Sequence, residues 1–271
     1  MAPIDLDGLD VTLVAAHADL VKARRAGHRR IVLMQHGIGQ SYGPDRHPAY
    51  PGGDDNQGVG LFLVPGDHPA GRWREAYPAA RVEVVGTPRL DDLPRRIPGP
   101  GPTIACTFHW RMGAMPEMRH AFAFYGLAAA SLSGEFHVIG HGHPRATRLP
   151  HFWAKVGIEY VPDFDDVCRR ADVLVFDNTS AGYEFAATGR PVVVMNAPGY
   201  RKDVDFGLRF WTAADVGIQV DRPADLAPAV RRALELRADD VARREAALDI
   251  VYRYRTGAAQ RAGDAIADWA A

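Results

Sequence analysis

Four short polar clusters carry the side chains of this 271-residue chain that could move a proton or hold an anion, and each follows an apolar run. Gln35-His36-Gly37-Ile38-Gly39 comes after Ile31-Val32-Leu33-Met34. An imidazole titrates near neutral pH, so His36 could take a proton from a hydroxyl. Gly37 beside it permits a tight turn and close approach of a ligand. The same ring could instead satisfy a backbone carbonyl and do no chemistry. After the apolar run 135–139 comes Gly140-His141-Gly142-His143-Pro144-Arg145. His143 and Arg145 offer donors suited to phosphate, Arg145 in bidentate form, although a glycine-rich polar turn would look the same. His141 and His143 have the spacing of a metal pair, but no carboxylate or third histidine stands at ligand spacing, so no metal is expected.

The third cluster, Asp177-Asn178-Thr179-Ser180-Ala181-Gly182, lies between a strand-like run and a helical pattern. Asn178, Thr179 and Ser180 would sit where exposed N–H groups make an anion site; the hydroxyls could share a phosphate or only cap the helix. Glu184, one turn in, could meet a ribose hydroxyl or merely complement the helix dipole. The fourth cluster is Thr107-Phe108-His109-Trp110-Arg111. Arg111 could reach a phosphate; Trp110 could stack on a base or fill space.

These clusters need a scaffold that delivers them to one edge, and the pattern of elements supplies it. Short apolar runs at 11–15, 31–34, 61–64 and 81–85 alternate with helical patterns at 18–26 and 69–76. Runs apolar almost throughout are expected where both faces of a parallel sheet are covered. A second series follows: strands at 103–107, 135–139, 172–176 and 191–195, a short segment at 156–161, and helices at 115–132 and 181–188. Leu226, Val230 and Leu234 recur four apart, as on one buried helix face, and the rest of the chain reads as helical, ending in an amphipathic tail. Between the two series, residues 94–102 carry four prolines and two glycines, which block helix and strand alike. The expected division is a first lobe, 1–97, and a second lobe, 98–271. The stretch 40–58, rich in Gly, Pro and Asp, is expected to be a long loop, often a functional feature. Ligands of such folds bind beyond the carboxyl ends of the strands, where all four clusters fall.

Bulk properties narrow the function. A formal net charge of −1 argues against a protein that neutralises many nucleic-acid phosphates. Cys106 and Cys168 belong to no C-x-x-C pair, which speaks against a zinc knuckle. No basic-then-apolar leader and no run near 18 apolar residues is visible, so a cytoplasmic protein without a transmembrane segment is expected.

The order of the clusters resembles the CDP-glycerol glycerophosphotransferases of teichoic acid synthesis. His36-Gly37 after an early strand is similar to that family's His-Gly-Thr-Pro, although Ile38-Gly39 stands here for Thr-Pro. Gly86-Thr87-Pro88-Arg89-Leu90-Asp91-Asp92-Leu93 resembles its Gly-x-Pro-Arg-x-Asp-x-Leu signature. Trp110-Arg111, His143-Pro144 and the segment 171–180 resemble its Thr-Trp-Arg, its His-Pro and its run ending Asp-Tyr-Ser-Ser, with Asn178-Thr179 in place of Tyr-Ser. The resemblance covers roughly residues 11–198. It implies an α/β GT-B-like architecture: two Rossmann-like lobes with parallel sheets facing across a cleft, the donor held mainly by the second. It implies His36 as base on the acceptor hydroxyl, with Gly37, Arg89 and Asp91 in the cleft. Arg111, His143, Arg145, Asn178, Thr179, Ser180 and Glu184 would hold a nucleotide-diphosphate donor without a metal or other cofactor. The acceptor would be a hydroxyl on a glycan, polyol phosphate or glycolipid. Two other readings share the fold: a UDP-sugar 2-epimerase, which would need paired carboxylates (Asp54-Asp55 and Glu184 being unassigned), and a silent nucleotide- or glycan-binding module.

Overall fold

The fold is seen in a computed structural model, described over residues 10–38, 53, 56–110, 121–177, 179–198 and 213–271. It divides into two compact units: Met1–Asp92 together with Asp249–Ala271, and Leu93–Leu248.

Unit 1 contains β1 (Thr12–Val14), α1 (His17–Arg25), β2 (Ile31–Met34), β3 (Leu61–Val64), α2 (Asp67–Ala76), β4 (Arg81–Val84) and the single turn α3 (Pro88–Asp91). Its strands are all parallel and adjacent in chain order, β1-β2-β3-β4. Right-handed crossovers that step always in one direction lay their helices on one face of a sheet. Here α1 and α2 share that face: Leu20, Ala23, Ala70 and Trp73 pack on Val14, Leu33, Phe62 and Val64. Trp73 stacks on Phe62 at 4.4 Å between ring centres. Side chains alternate along a strand, so Val32, Leu61 and Leu63 point the other way and need a separate cover. It comes from the far end of the chain, as Ala262 and Ile266 of α10 (Ala258–Ala270).

Unit 2 contains β5 (Thr103–Phe108), α4 (Phe122–Ser131), β6 (His137–Gly142), α5 (Leu149–Lys155), β7 (Glu159–Tyr160), α6 (Phe164–Arg170), β8 (Val173–Phe176), α7 (Ala181–Ala186), β9 (Val192–Met195), β10 (Ile218–Val220) and α8 (Leu226–Leu234). The helix α9 (Ala238–Val251) carries the chain from unit 2 back to unit 1. The six strands are parallel in the order β10-β9-β8-β5-β6-β7. The chain thus starts in the middle, builds outward through β6 and β7, then returns to build the other side from β8. This is the doubly wound Rossmann order, and its reversal between β5 and β8 is a topological switch point. One face is covered by α4, α5 and α8, through Tyr125, Trp153, Val230 and Ala233 on Ile104, Cys106, Val173 and Val193.

Several expectations differ from this structure. The first unit ends at Asp92 rather than 97, and it takes back Asp249–Ala271, which had been expected in the second lobe. The reason is the bare second face of the unit 1 sheet, which α10 fills. The proline-rich stretch 94–102 is fastened to unit 2: Arg96 pairs with Asp172 at 2.8 Å, and the Ile97 amide donates to the Arg169 carbonyl at 2.7 Å. The strand expected at 135–139 is β6, which starts later and runs on through Gly140-His141-Gly142. A Cβ on Gly140 would lie 2.3 Å from the Trp153 ring, and one on Gly142 would lie 2.1 Å from Leu149 Cδ1. The two glycines therefore let α5 press onto the sheet and do not mark a turn. The strand β10 stands where a purely helical end was expected. The helix expected at 115–132 is described only from Phe122; its start, Arg111, Asn178, Asp54-Asp55 and most of the loop 40–58 lie outside the described residues.

Candidate functional site

The switch point of unit 2 is built around a carboxylate. Asp177 directly follows β8, is fully buried, and accepts the His109 amide at 2.9 Å through Oδ1 and 3.0 Å through Oδ2. The Ala121 amide adds a further bond at 3.2 Å. One side chain thus joins the turn after β8, the end of β5 and the start of α4. In the sequence Asp177 stands in the third cluster without a role of its own; an aspartate directly after an apolar strand, where backbone amides need partners, is the signal that marks it.

Beside it, the turns after β5 and β6 are tied together. The His143 amide donates to the Phe108 carbonyl at 3.0 Å. The rings of His109 and His143 lie 5.0 Å apart, Trp110 lies 6.0 Å from each, and the Arg145 guanidinium sits 5.0 Å above the Trp110 ring. Trp110 is thus a platform for a cation. The His109 Nδ1–H donates to the Trp110 carbonyl at 2.8 Å, while burial pushes the His109 pKa down. His143 is oriented otherwise: its Nδ1 accepts the Arg145 amide at 3.1 Å. An amide can only donate, so the His143 ring proton stands on Nε2, and that edge is a hydrogen-bond donor.

His141 and His143, two apart in sequence, have different surroundings. His141 is a buried strand residue whose Nδ1 meets Thr107 Oγ1 at 2.7 Å and whose ring lies 5.6 Å from Phe164. Burial pushes its pKa down to about 4. Among the described residues no cluster of three metal-ligating side chains occurs. In the turn after β8, Thr179 Oγ1 accepts the Ala181 amide at 3.3 Å, so Thr179, not Ser180, takes the first amide of α7. Ser180 is half-buried at the N-cap and its side chain makes no capping bond. Glu184 lies in the first turn of α7, half-buried and engaged by the protein.

Unit 1 brings His36 to its carboxyl edge, where His17 and His68 also stand in the first turns of the helices that follow β1 and β3. His36, exposed and two residues past β2, bonds through Nδ1 to the Ala15 carbonyl just past β1, at 2.5 Å. A carbonyl can only accept, so Nδ1 carries the proton and, in the neutral ring, Nε2 carries the lone pair. Gly37 follows with φ of 80°, a left-handed conformation that glycine adopts without strain. Gln35 is locked behind the ring: its amide donates to the Leu63 carbonyl at 2.8 Å, and its Oε1 accepts from Trp73 Nε1 at 3.1 Å. Arg89 and Asp91 sit on α3. Asp91 Oδ2 accepts the Ala259 amide at 2.9 Å and so holds the start of α10.

Two parallel sheets, the second in Rossmann order, give the chain a GT-B-like α/β fold. Among solved structures it is similar to the wall teichoic acid polymerase TagF, at 14% identity over 89% of this chain and 68% of that one, with a TM-score of 0.60. It is similar to the same degree to the UDP-GlcNAc 2-epimerase from Neisseria meningitidis bound to UDP-GlcNAc, at 13% identity over 96% and 75% of the two chains, TM-score 0.59. A putative UDP-N-acetylglucosamine 2-epimerase from Listeria monocytogenes follows at 13% over 93% and 72%, TM-score 0.58. No protein-family model matches the sequence, and no curated protein matches it. No helix among the described residues is long and apolar enough to cross a membrane.

Proposed function

We propose that this chain is a transferase that moves a glycerophosphate-like or glycosyl group from a nucleotide-diphosphate donor to a hydroxyl acceptor. The observation that carries it is the opposed polarity of two strand-end histidines: His36 presents a lone pair on Nε2, whereas His143 presents a proton there. Transfer to a hydroxyl needs both kinds of group. His36 takes the acceptor's proton as the acceptor oxygen bonds to the transferred group. The bond to the departing nucleotide phosphate breaks with it. His143 and Arg145 meet the charge that collects on the leaving phosphate, and preorganised donors of this kind are often the largest catalytic term. Ser180, with its hydroxyl unused for capping, and Thr179 take further phosphate oxygens; Arg111 and Asn178, outside the described residues, complete the donor set. Trp110 carries Arg145.

An epimerase would draw on paired acid and base carboxylates. Asp177 is spent on backbone amides, Asp91 gives one oxygen to the Ala259 amide, Glu184 is engaged by the protein, and Asp54-Asp55 lie outside the described residues. The cytoplasm is the natural place for a nucleotide-activated donor.

The test begins with thermal shift against CDP, UDP, GDP and ADP. A ligand at about 100 times its Kd stabilises by about 2.7 kcal/mol, a shift of several degrees. The bound base then selects CDP-glycerol or a sugar nucleotide for assay with and without a polyol or glycan acceptor. Acceptor-dependent release of nucleotide supports transfer. Conversion of UDP-GlcNAc without an acceptor replaces it by epimerisation, and the absence of any nucleotide-induced shift removes both.

A further inference from the structure

A cavity of about 460 Å³ opens at the opposite edge of the unit 2 sheet, where β5, β8 and β9 begin. It is lined by Arg96, Asp172 and Arg190 and by small or apolar residues that include Pro98, Gly101 and Leu236. None of the residues assigned above to donor or acceptor lines it.

Its polar end is unusual in what it leaves unused. Arg96 grips Asp172 with two parallel bonds, Nε to Oδ1 at 3.0 Å and Nη2 to Oδ2 at 2.8 Å. The Thr103 amide adds 2.8 Å to Oδ2. Burial alone would raise the Asp172 carboxyl, but the Arg96 bonds and the amide hold it below its ordinary value, so it is charged. Arg190 donates to the carbonyls of Cys168 and Ala171 at 2.6 and 2.7 Å and to Thr188 Oγ1 at 2.8 Å, with its guanidinium 4.2 Å from the centre of the Phe185 ring. Two guanidiniums therefore face one carboxylate, leaving one positive charge over. One nitrogen of each, Arg96 Nη1 and Arg190 Nη2, is buried with no hydrogen-bond partner. A buried donor left unmade costs about 1–3 kcal/mol, more on a charged group, and native proteins hold few of them. A clamp that merely tied down the chain before β5 would need Arg96 and Asp172 alone.

The apolar side is also strained. Leu236, 55% exposed at the cavity wall, has φ of 50°. A bulky residue there is a genuine outlier, and it stands just past the C-cap of α8, where a left-handed residue ends the helix.

We propose that this cavity is a second binding site, separate from the donor region, for a small organic anion. Its oxyanion head is drawn by the positive charge left over where Arg96 and Arg190 line the cavity beside Asp172, and its apolar body lies along Pro98, Gly101 and Leu236. Carboxylate and phosphate-ester heads share this chemistry, and the probes separate them. The carboxylate in its lining, Asp172, is taken up by Arg96 and the Thr103 amide, so the role of the cavity is binding. An occupant would hold down the segment that leads into β5, whose far end carries His109 and Trp110.

The test is calorimetric titration of the full chain with benzoate and with phenyl phosphate, using benzyl alcohol as the neutral control and CDP as competitor. Gly101→Leu fills the cavity without disturbing the clamp, because a Cβ on Gly101 meets no atom within 4 Å. Leu236→Asp puts a negative charge on an exposed wall position. At least one anion should bind the wild type, benzyl alcohol should bind at least tenfold more weakly, and both variants should weaken the anion at least tenfold. CDP should not displace it. Failure of both anions to bind overturns the proposal, as does equal binding of benzyl alcohol, displacement by CDP, or wild-type affinity in whichever variants keep the wild-type melting temperature.

Discussion

Unit 1 and unit 2 are made of the same parts, parallel strands with covering helices, yet they handle their carboxyl edges differently. Unit 1 adds its four strands in one direction, so among the described residues it has no switch point and one face of its sheet waits for α10. At its edge His36 is held by a backbone carbonyl. Unit 2 reverses at β5 and β8, and there Asp177, His109, His143, Trp110 and Arg145 meet through short bonds and ring contacts. A reversal of strand order opens a crevice beyond the carboxyl ends of the strands. In unit 2 a buried carboxylate there binds the His109 and Ala121 amides and joins the turns around it. In unit 1, where the order does not reverse, His36 is oriented by the backbone carbonyl next to it.

If that contrast is functional, the largest effect belongs to His36. A general base contributes about 10²–10⁴-fold to rate. The His36→Ala variant should lose kcat on that order while its donor affinity, measured on the nucleotide chosen by thermal shift, stays nearly constant. A ring that only braced Ala15 would give the reverse pattern: a lower melting temperature and near-normal activity per folded molecule.

The next effect concerns which unit owns the last helix. Ile266 is almost wholly buried against Val32, Leu61 and Leu63. Truncating such a residue costs about 2–5 kcal/mol. Ile266→Ala should lower overall stability by that amount, and hydrogen exchange should quicken in β2 and β3 while β5 and β8 keep their protection. Quickening confined to unit 2 would return α10 to the second unit.

Acid should act on unit 2. Burial holds His141 near a pKa of about 4, below the 6.5 of a free imidazole. Between these values the unfolded chain binds a proton that the folded chain refuses. The stability is therefore full above about pH 6.5 and is lost as pH falls towards 4, with a total on the order of 3 kcal/mol. His141→Asn, which keeps a polar group towards Thr107, should flatten this slope in urea unfolding at pH 7 and pH 5. An unchanged slope would move the acid sensitivity to another group.

Much of this architecture was legible beforehand, and the exceptions have physical reasons. The apolar runs 31–34 and 61–64 became strands with those bounds, because fully buried parallel strands are apolar throughout. The strand β10 is three residues long with Gln219 in its centre, too short to show a period. The glycines at 140 and 142 looked like turn residues because a sequence does not show that Trp153 and Leu149 will press on them. The unit boundary slipped because the need for α10 arises from crossover direction, which no single segment displays. At the site, residue types were readable but proton positions were not: whether an imidazole accepts or donates depends on which backbone group meets its Nδ1, and that is a fact of tertiary structure.

The smallest and sharpest effect follows from those proton positions. His143 Nε2 donates, whereas His36 Nε2 accepts. A glutamine side chain places an amide N–H near the position of an imidazole Nε2 and cannot take up a proton at neutral pH. The same substitution should thus have opposite consequences in the two units. A hydrogen bond to a charged phosphate is worth about 1.5–3 kcal/mol, so His143→Ala should weaken the nucleoside diphosphate about 10- to 100-fold. His143→Gln should recover most of that loss, because donation is all the position needs. At 36, Gln should be as inactive as Ala, because the position needs a base. The two alanine and two glutamine variants can be run side by side, with calorimetry for affinity and single turnover for rate. Rescue at both positions would make His36 a donor and leave the proposed transfer without its base. Failure of Gln at 143, with the melting temperature preserved, would mean that the ring acts there through its contacts with His109 and Trp110 and not through its Nε2 proton.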